Sequence, residues 1–138
     1  LDNTNQIVAG ASMGGLMSMK TSILFPQFRN IISLSPAFWF GYPSVLHDIK
    51  NLSNESSTYL YTGKKEGHIF GDHVKNIFPN NWDLDFSNND DFYYSGVKNI
   101  KESLDSNNKK VIFSFQDNGS HNETSWATAI LEILGKLI

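Results

Sequence analysis

The feature with the clearest chemical meaning is a serine held between two glycines, in the segment Gly10-Ala11-Ser12-Met13-Gly14. It follows an apolar run at 6–9 and precedes an apolar run with helical spacing at 16–25, which ends before Pro26. A serine at a sharp turn between a strand and a helix is typical of the nucleophile of a serine hydrolase. Glycines suit the turn because a side chain two residues to either side of Ser12 would collide with neighbouring backbone. The amides that begin the helix would stabilise an oxyanion beside the hydroxyl.

A serine nucleophile needs a base to take its proton and a carboxylate to orient that base. His121 is the preferred base because it follows the last apolar run, in a glycine-containing loop that can aim an imidazole back at Ser12. The order serine, acid, histidine along the chain is one that such hydrolases use. The other histidines lie in polar or irregular segments and remain alternatives: His47, His68 and His73.

Three carboxylates are candidates for the acid. Glu66 is preferred because it lies in a turn directly after the third apolar run, where the strand would deliver it to the same edge as Ser12. Asp72 follows a few residues later and is the second choice. Asp117 is close to His121 in sequence, but we expect it to cap a turn through Gly119.

The elements that must position these residues are four short apolar runs, predicted as strands at 6–9, 31–34, 59–62 and 111–115. Their apolar character indicates strands buried on both faces, and their alternation with longer segments is typical of an α/β protein with a parallel sheet. The carboxyl ends of such strands are where these folds place their chemistry.

Helices and loops connect the predicted strands. Beyond the run at 16–25, we expect a short helix at 44–50 and a helix with an apolar stripe at Val97, Ile100 and Leu104, capped by Ser95. An amphipathic helix runs from Trp126 to the end, after a loop at 118–122. The segment 68–94 is rich in asparagine, aspartate and aromatics. We expect it to be an insertion over the site, too polar to join the core.

Composition limits the classes of function. With 138 residues, 40% hydrophobic content and a net charge of -3, the chain has the composition of one globular domain, and its mild acidity argues against a nucleic-acid partner. No apolar run approaches the roughly 18 to 20 residues that span a bilayer. The absence of cysteine excludes thiol catalysis and zinc–thiolate sites. It leaves the compartment open, with the cytoplasm favoured, and any signal peptide would lie upstream.

Taken together, the motifs resemble one esterase family of the α/β-hydrolase superfamily, the group that includes esterase D, feruloyl esterases, enterochelin esterases and mycolyltransferases. The resemblance runs nearly end to end. It rests on AGASMGGL at 9–16, ISLSPAFW at 32–39, GKKE at 63–66 and GSHNE at 119–123 with Trp126.

The resemblance implies a carboxylic-ester hydrolase that works through an acyl-enzyme. Ser12 would be the nucleophile, His121 the base, Glu66 the acid and the amide of Met13 an oxyanion donor. No metal or organic cofactor would be needed. The substrate would be a small-molecule ester, with carbohydrate-linked and siderophore-linked esters among the candidates.

The resemblance also implies that more of the domain lies upstream. Residues 1–138 would form the C-terminal portion of a single α/β-hydrolase domain, whose earlier strands and second oxyanion donor lie elsewhere, so these residues alone are expected to be weakly active. The apolar residues at 7–9 lack the charges or proline that normally keep an edge strand from pairing with another chain. We therefore expect self-association through residues 1–9.

Two other functions use the same sequence features. An acyltransferase would share the triad and pass the acyl group to a sugar or another alcohol instead of water. A binding module that keeps only the fold would have lost a triad residue, whereas all three candidates are present. Aromatic residues after the second strand could line a substrate pocket or belong to the core, and the two predicted to contact substrate are Phe38 and Trp39.

Overall fold

The computed structural model describes residues 6–137 of the chain. Its main elements alternate strand and helix: β1 Gln6–Ala11, α1 Met13–Leu24, β2 Phe28–Leu34, α2 Ser44–Asp48, β3 Ser57–Lys65, α3 Asn89–Ser106, β4 Lys110–Ser120 and α4 Glu123–Leu137. Short 3₁₀ helices lie between them at Phe38–Phe40, Ile49–Asn51, Gly67–Ile69 and Val74–Asn76. Each predicted strand is present and is longer than predicted.

The strands within residues 6–137 form one parallel sheet in the order β1-β2-β3-β4. The predicted α/β class is confirmed. The strand order follows the chain order, so the sheet grows in one direction from β1 to β4. Because crossovers between parallel strands are right-handed, the connecting helices α1 and α3 lie on the same face of the sheet. Helix α4 follows the last strand and covers the other face.

The core has one layer on each face of the sheet. In β2, Ile31 packs with α1 and α3, whereas its neighbour Ile32 packs with α4, and both are buried. This alternation explains why the strands read as continuous apolar runs. The α4 layer is the smaller one, and its buried members are Ile32, Leu34, Tyr59, Tyr61, Ala129 and Ile133.

Two predicted boundaries are wrong. Helix α3 begins at Asn89, seven residues earlier than a cap at Ser95 predicts, and Asn88 caps it by accepting the N–H of Asp91 at 2.8 Å. Ser95 lies inside the helix, where its hydroxyl accepts the N–H of Asp85 at 3.0 Å. Strand β4 continues through Ser120, so the predicted loop at 118–122 shrinks to two residues before α4.

The segment 68–94 belongs to the core, contrary to expectation. Phe92 and Tyr93 are fully buried on the α1 and α3 face, and Phe78 stacks on Phe92 with ring centroids 5.1 Å apart. The polar residues between the aromatics stay at the surface, so the mean composition of the segment hides the apolar residues that it buries. Trp82 packs against Tyr42 in the same aromatic cluster.

Strand β1 is an outer strand of the described sheet. On the face covered by α4, Ile7 is 43% exposed and Ala9 is also exposed, because α4 packs on β2 and β3. The rest of the edge predicted to self-associate, residues 1–5, lies outside the described residues. None of the helices within residues 6–137 is long and apolar enough to cross a membrane.

We expect Ile7→Lys to reduce self-association of the protein, since a lysine on an outer strand opposes pairing with another chain. Sedimentation velocity over a range of concentrations measures the effect. Leu131→Lys is the matched control, because Leu131 is 70% exposed on α4, away from the edge. Equal effects of both variants, or a wild-type protein that stays monomeric at every concentration, would contradict the prediction.

Candidate active site

Ser12 occupies a strained turn between β1 and α1. Its backbone has φ 57° and ψ -121°, a conformation that costs a non-glycine residue about 1–3 kcal/mol. Hydrogen bonds hold it there: its N–H donates to the Leu34 carbonyl at 2.9 Å, and its carbonyl accepts the N–H groups of Gly15 and Ala37, each at 3.0 Å. The end of β2 and the first turn of α1 therefore fix the position of the serine.

The glycines around Ser12 are not equally required. A Cβ on Gly10 would overlap the backbone of Gly14, as expected. A Cβ on Gly14 would meet nothing within 4 Å, so the expected collision on that side of the serine is wrong. The close approach falls one residue later, where a Cβ on Gly15 would lie 2.8 Å from the Leu34 carbonyl oxygen. Gly10 and Gly15 allow the turn to pack, whereas Gly14 leaves open space beside it.

His121 lies in the short link between β4 and α4, and its ring joins the two other candidates. Nε2 is 3.0 Å from the Ser12 hydroxyl oxygen, and Nδ1 is 2.8 Å from Glu66 Oε1. Both predicted hydrogen bonds are present. The His121 side chain is 12% exposed and that of Glu66 is fully buried, so the imidazole keeps some contact with solvent while the carboxylate is enclosed.

The buried carboxylate of Glu66 is well supplied with donors. Its Oε2 accepts the Ser35 hydroxyl at 2.7 Å and the Gly63 N–H at 2.5 Å, and the Thr62 hydroxyl lies 3.0 Å away. These donors offset the cost of burying a carboxylate, which is high when its oxygens lack partners. They occupy Oε2 and leave Oε1 to His121.

Contacts on three sides hold the His121 ring and backbone. The ring packs edge-on against Trp126, with centroids 4.8 Å apart, and lies 5.5 Å from the ring of Tyr93. The backbone N–H of His121 donates to Nε2 of His68 at 3.2 Å. The two ring contacts restrict the rotation of the imidazole between Ser12 and Glu66, and the contact with His68 holds the backbone.

Two tyrosines near Glu66 stay neutral at physiological pH. Burial, and then the charge of Glu66, raise the pKa of Tyr93 well above the ordinary 10.0. Burial, and then Glu66 and Glu132, raise the pKa of Tyr61 to about 12. Both phenols therefore remain donors: Tyr93 donates to the Ser35 carbonyl at 2.6 Å, and Tyr61 donates to a side-chain amide oxygen on β4.

The two alternative acids lie apart from His121. Asp72 is exposed and accepts the N–H of His73 at 2.7 Å and the side-chain amide of Asn76. Asp117 lies within β4, not at a turn, and its carboxylate is 3.4 Å from the Lys64 ammonium. Neither is hydrogen-bonded to the imidazole.

The alternative bases are also separate from Ser12. His47 is exposed on α2, and the ring of His73 accepts the N–H of Lys75. His68 is the exception, since it reaches the site, but it contacts the backbone of His121 and not Ser12. Of the four histidines, His121 is the one whose ring is hydrogen-bonded to the serine.

The two predicted substrate contacts differ in burial. Phe38 is fully buried, and α3 packs so closely on its ring that a Cβ on Gly96 would overlap it. Phe38 is therefore a core residue and presents no surface to a substrate, which corrects the expectation. Trp39 is half-buried against Tyr93 and Phe70, with centroids 5.1 and 4.9 Å away, and keeps an exposed part.

Met13 is the first residue of α1, where an N–H has no acceptor within the helix. The partial positive charge of the helix N-terminus lies at the same place. The amide of Met13, the residue after Ser12, is therefore a donor at the positive end of α1. Within the described part of the chain, no group of three or more histidine or acidic side chains is arranged to hold a metal ion.

The residues that sequence reasoning missed are Ser35 and Thr62, which serve Glu66. Both follow or end an apolar run, at the carboxyl edge of β2 and β3. That position could have indicated a role at the site, because polar groups at the carboxyl edge of a parallel sheet lie close together. Trp126 was expected only in the apolar pattern of α4 and in a motif of the resemblance, without a role at the site.

Comparison with known proteins gives no assignment. No protein-family model matches the chain, and no curated protein matches it. A function must be inferred from the geometry around Ser12.

Proposed function

We propose that the protein is a serine hydrolase of carboxylic esters, and that its parallel sheet belongs to an α/β-hydrolase fold. The observation that supports the proposal is the continuous set of hydrogen bonds from Ser12 through His121 to Glu66, at 3.0 and 2.8 Å. Nucleophile, base and acid in this order are the arrangement that activates a serine hydroxyl. The strained turn under Ser12 adds support, since such strain is concentrated at active sites.

In the proposed reaction, the Ser12 oxygen attacks the acyl carbon while His121 Nε2 takes the hydroxyl proton. The carbonyl oxygen becomes an oxyanion beside the Met13 amide. As the tetrahedral intermediate collapses, the bond to the alcohol oxygen breaks and His121 returns the proton to that oxygen. Water then attacks the acyl carbon of the acyl-enzyme and gives a proton to His121. The bond between the acyl carbon and the Ser12 oxygen breaks, the carboxylic acid product leaves, and His121 returns the proton to the Ser12 oxygen. Glu66 stabilises the imidazolium in both halves and does not take the proton.

A fluorophosphonate probe tests the nucleophile directly, because it reacts with activated serines and forms a stable adduct. We expect one probe per chain by intact mass, with the adduct on the peptide that contains Ser12. Heat-unfolded protein is the control, since an ordinary serine has no activating base. A folded protein that takes up no probe and hydrolyses no ester in a panel would overturn the proposal and leave a binding module in its place.

We expect Glu66→Gln to lower turnover by about four orders of magnitude, as loss of the triad acid does elsewhere. The glutamine oxygen would take the donors that Oε2 takes now, which turns the NH₂ group toward His121 Nδ1. Nδ1 would then accept, Nε2 would carry the proton, and the imidazole could not act as a base toward Ser12. Ester turnover measures the effect.

The matched controls are Asp72→Asn and Asp117→Asn, which make the same chemical change at exposed carboxylates. Both should keep wild-type turnover. If Asp72→Asn or Asp117→Asn lowers turnover more than Glu66→Gln, the acid is misassigned.

A further inference from the structure

Beyond the three proposed catalytic residues, a second set of hydrogen bonds reaches Glu66 from α4. The indole Nε1 of Trp126 is 2.9 Å from the Ser35 hydroxyl oxygen, and that oxygen is 2.7 Å from Glu66 Oε2. An indole nitrogen can only donate. Ser35 must therefore accept from Trp126, and its own proton points to the carboxylate. The direction of both hydrogen bonds follows from the residue types.

Trp126 also touches the base. Its ring packs edge-on against the imidazole of His121, at 4.8 Å and an interplanar angle of 82°. The residue lies in the first part of α4, where its backbone N–H donates to the Asn122 carbonyl at 3.2 Å. One side chain thus contacts His121 directly and Glu66 through Ser35.

Ser35 is held in an unfavourable backbone conformation. Its φ is 44°, which costs a non-glycine residue free energy and persists only when neighbours impose it. Its N–H donates to the Tyr61 carbonyl at 2.7 Å, and its carbonyl accepts the Tyr93 hydroxyl at 2.6 Å. Glycine would relieve this strain. Serine, unlike glycine, supplies a hydroxyl, and this buried hydroxyl connects Trp126 to Glu66.

We propose that Ser35 and Trp126 are positioning residues for the triad, an inference that rests on the proposed ester hydrolysis. Trp126 orients the Ser35 hydroxyl, which fixes Oε2 and so turns Oε1 of Glu66 toward His121. Neither residue is hydrogen-bonded to Ser12 or to a ring nitrogen of His121. Their contribution is the alignment of Glu66 and His121, and small misplacements of such groups are costly to rate.

Trp126→Phe tests the inference, because it keeps an aromatic ring beside His121 and removes the N–H. We expect kcat for ester hydrolysis to fall about tenfold with KM unchanged, the loss of roughly one hydrogen bond in the transition state. Ser35→Ala should lower kcat at least as much. In the double variant, Trp126→Phe should cost nothing more, because its acceptor is already gone.

The matched controls remove the same atoms elsewhere. Trp82→Phe deletes an indole N–H from a ring that stacks on Phe78, and Ser22→Ala deletes a buried hydroxyl that donates to the Phe28 carbonyl at 2.6 Å. Both should keep wild-type kcat. Equal losses in Trp82→Phe and Trp126→Phe, or additive losses in the double variant, would overturn the proposal. If Ser35→Ala fails to fold, the comparison of kcat between Trp126→Phe and Trp82→Phe is sufficient to test the proposal.

A readout independent of turnover is the ¹H NMR resonance of the His121 Nδ1 proton, which is shared with Glu66. We expect it to move in Trp126→Phe and to stay in place in Trp82→Phe. An unmoved resonance in Trp126→Phe would contradict the positioning role. If the wild-type protein takes up no fluorophosphonate while this resonance moves, ester hydrolysis fails and the alignment of Glu66 and His121 by Trp126 stands.

Discussion

Ser12→Ala is expected to abolish ester hydrolysis and fluorophosphonate labelling, with a loss of about a millionfold in turnover. The hydroxyl oxygen is the atom that would bond to the acyl carbon, and it is the group to which His121 Nε2 is hydrogen-bonded. The Tm should change by only a few degrees, because one hydrogen bond contributes about 1 kcal/mol and alanine bears the same backbone strain. Initial rates on an ester panel and a thermal melt measure the two effects.

Ser22→Ala separates loss of the nucleophile from loss of stability. The Ser22 hydroxyl is fully buried and hydrogen-bonded on α1, so its removal should lower the Tm at least as much as Ser12→Ala does while turnover is unchanged. Loss of turnover in Ser12→Ala and not in Ser22→Ala would assign the reaction to Ser12. Substantial turnover by Ser12→Ala would remove that residue from the nucleophile's role.

The parts that sequence predicted well depend on local signals. The turn at Ser12 could be predicted because strand, glycines and helix follow one another directly along the chain. Glu66 and His121 could be predicted because each comes directly after a parallel strand, and such ends meet at one edge of the sheet. These positions required no knowledge of side-chain packing.

The parts that sequence missed depend on contacts between distant segments. Phe38 is buried because α3 presents Gly96 to its ring, a pairing that spacing along the chain does not reveal. The Ser35 hydroxyl acquires its role from Trp126, which lies 91 residues away. Segment 68–94 joins the core through single aromatic residues without helical or strand periodicity until α3 begins.

The glycines around Ser12 also depend on a contact that the sequence does not show. Sequence reasoning placed the crowding at Gly14, by symmetry with Gly10 about the serine. The crowding lies at Gly15 instead, because β2 passes against α1 and brings the Leu34 carbonyl to that position. The neighbouring strand therefore decides which glycine is needed.

His121→Ala is expected to lower turnover as severely as Ser12→Ala, about a millionfold, because nucleophile and base act as a unit. It should lower the free energy of unfolding more than Ser12→Ala does, by about 1–3 kcal/mol, because it leaves Oε1 of a buried carboxylate without its partner. Denaturant titration at neutral pH measures this difference. The two variants should therefore match in activity and differ in stability.

His68→Ala is the matched control for that prediction. His68 accepts the backbone N–H of His121 from an exposed position, so its loss leaves the imidazole between Ser12 and Glu66 and should retain most of the turnover. His73→Ala should have no effect on turnover, since that ring is hydrogen-bonded to the neighbouring Lys75 amide and not to Ser12, Glu66 or His121. A variant at either position that is more damaging than His121→Ala would place the base in segment 68–94. The imidazole beside Ser12 would then serve the fold and not the reaction.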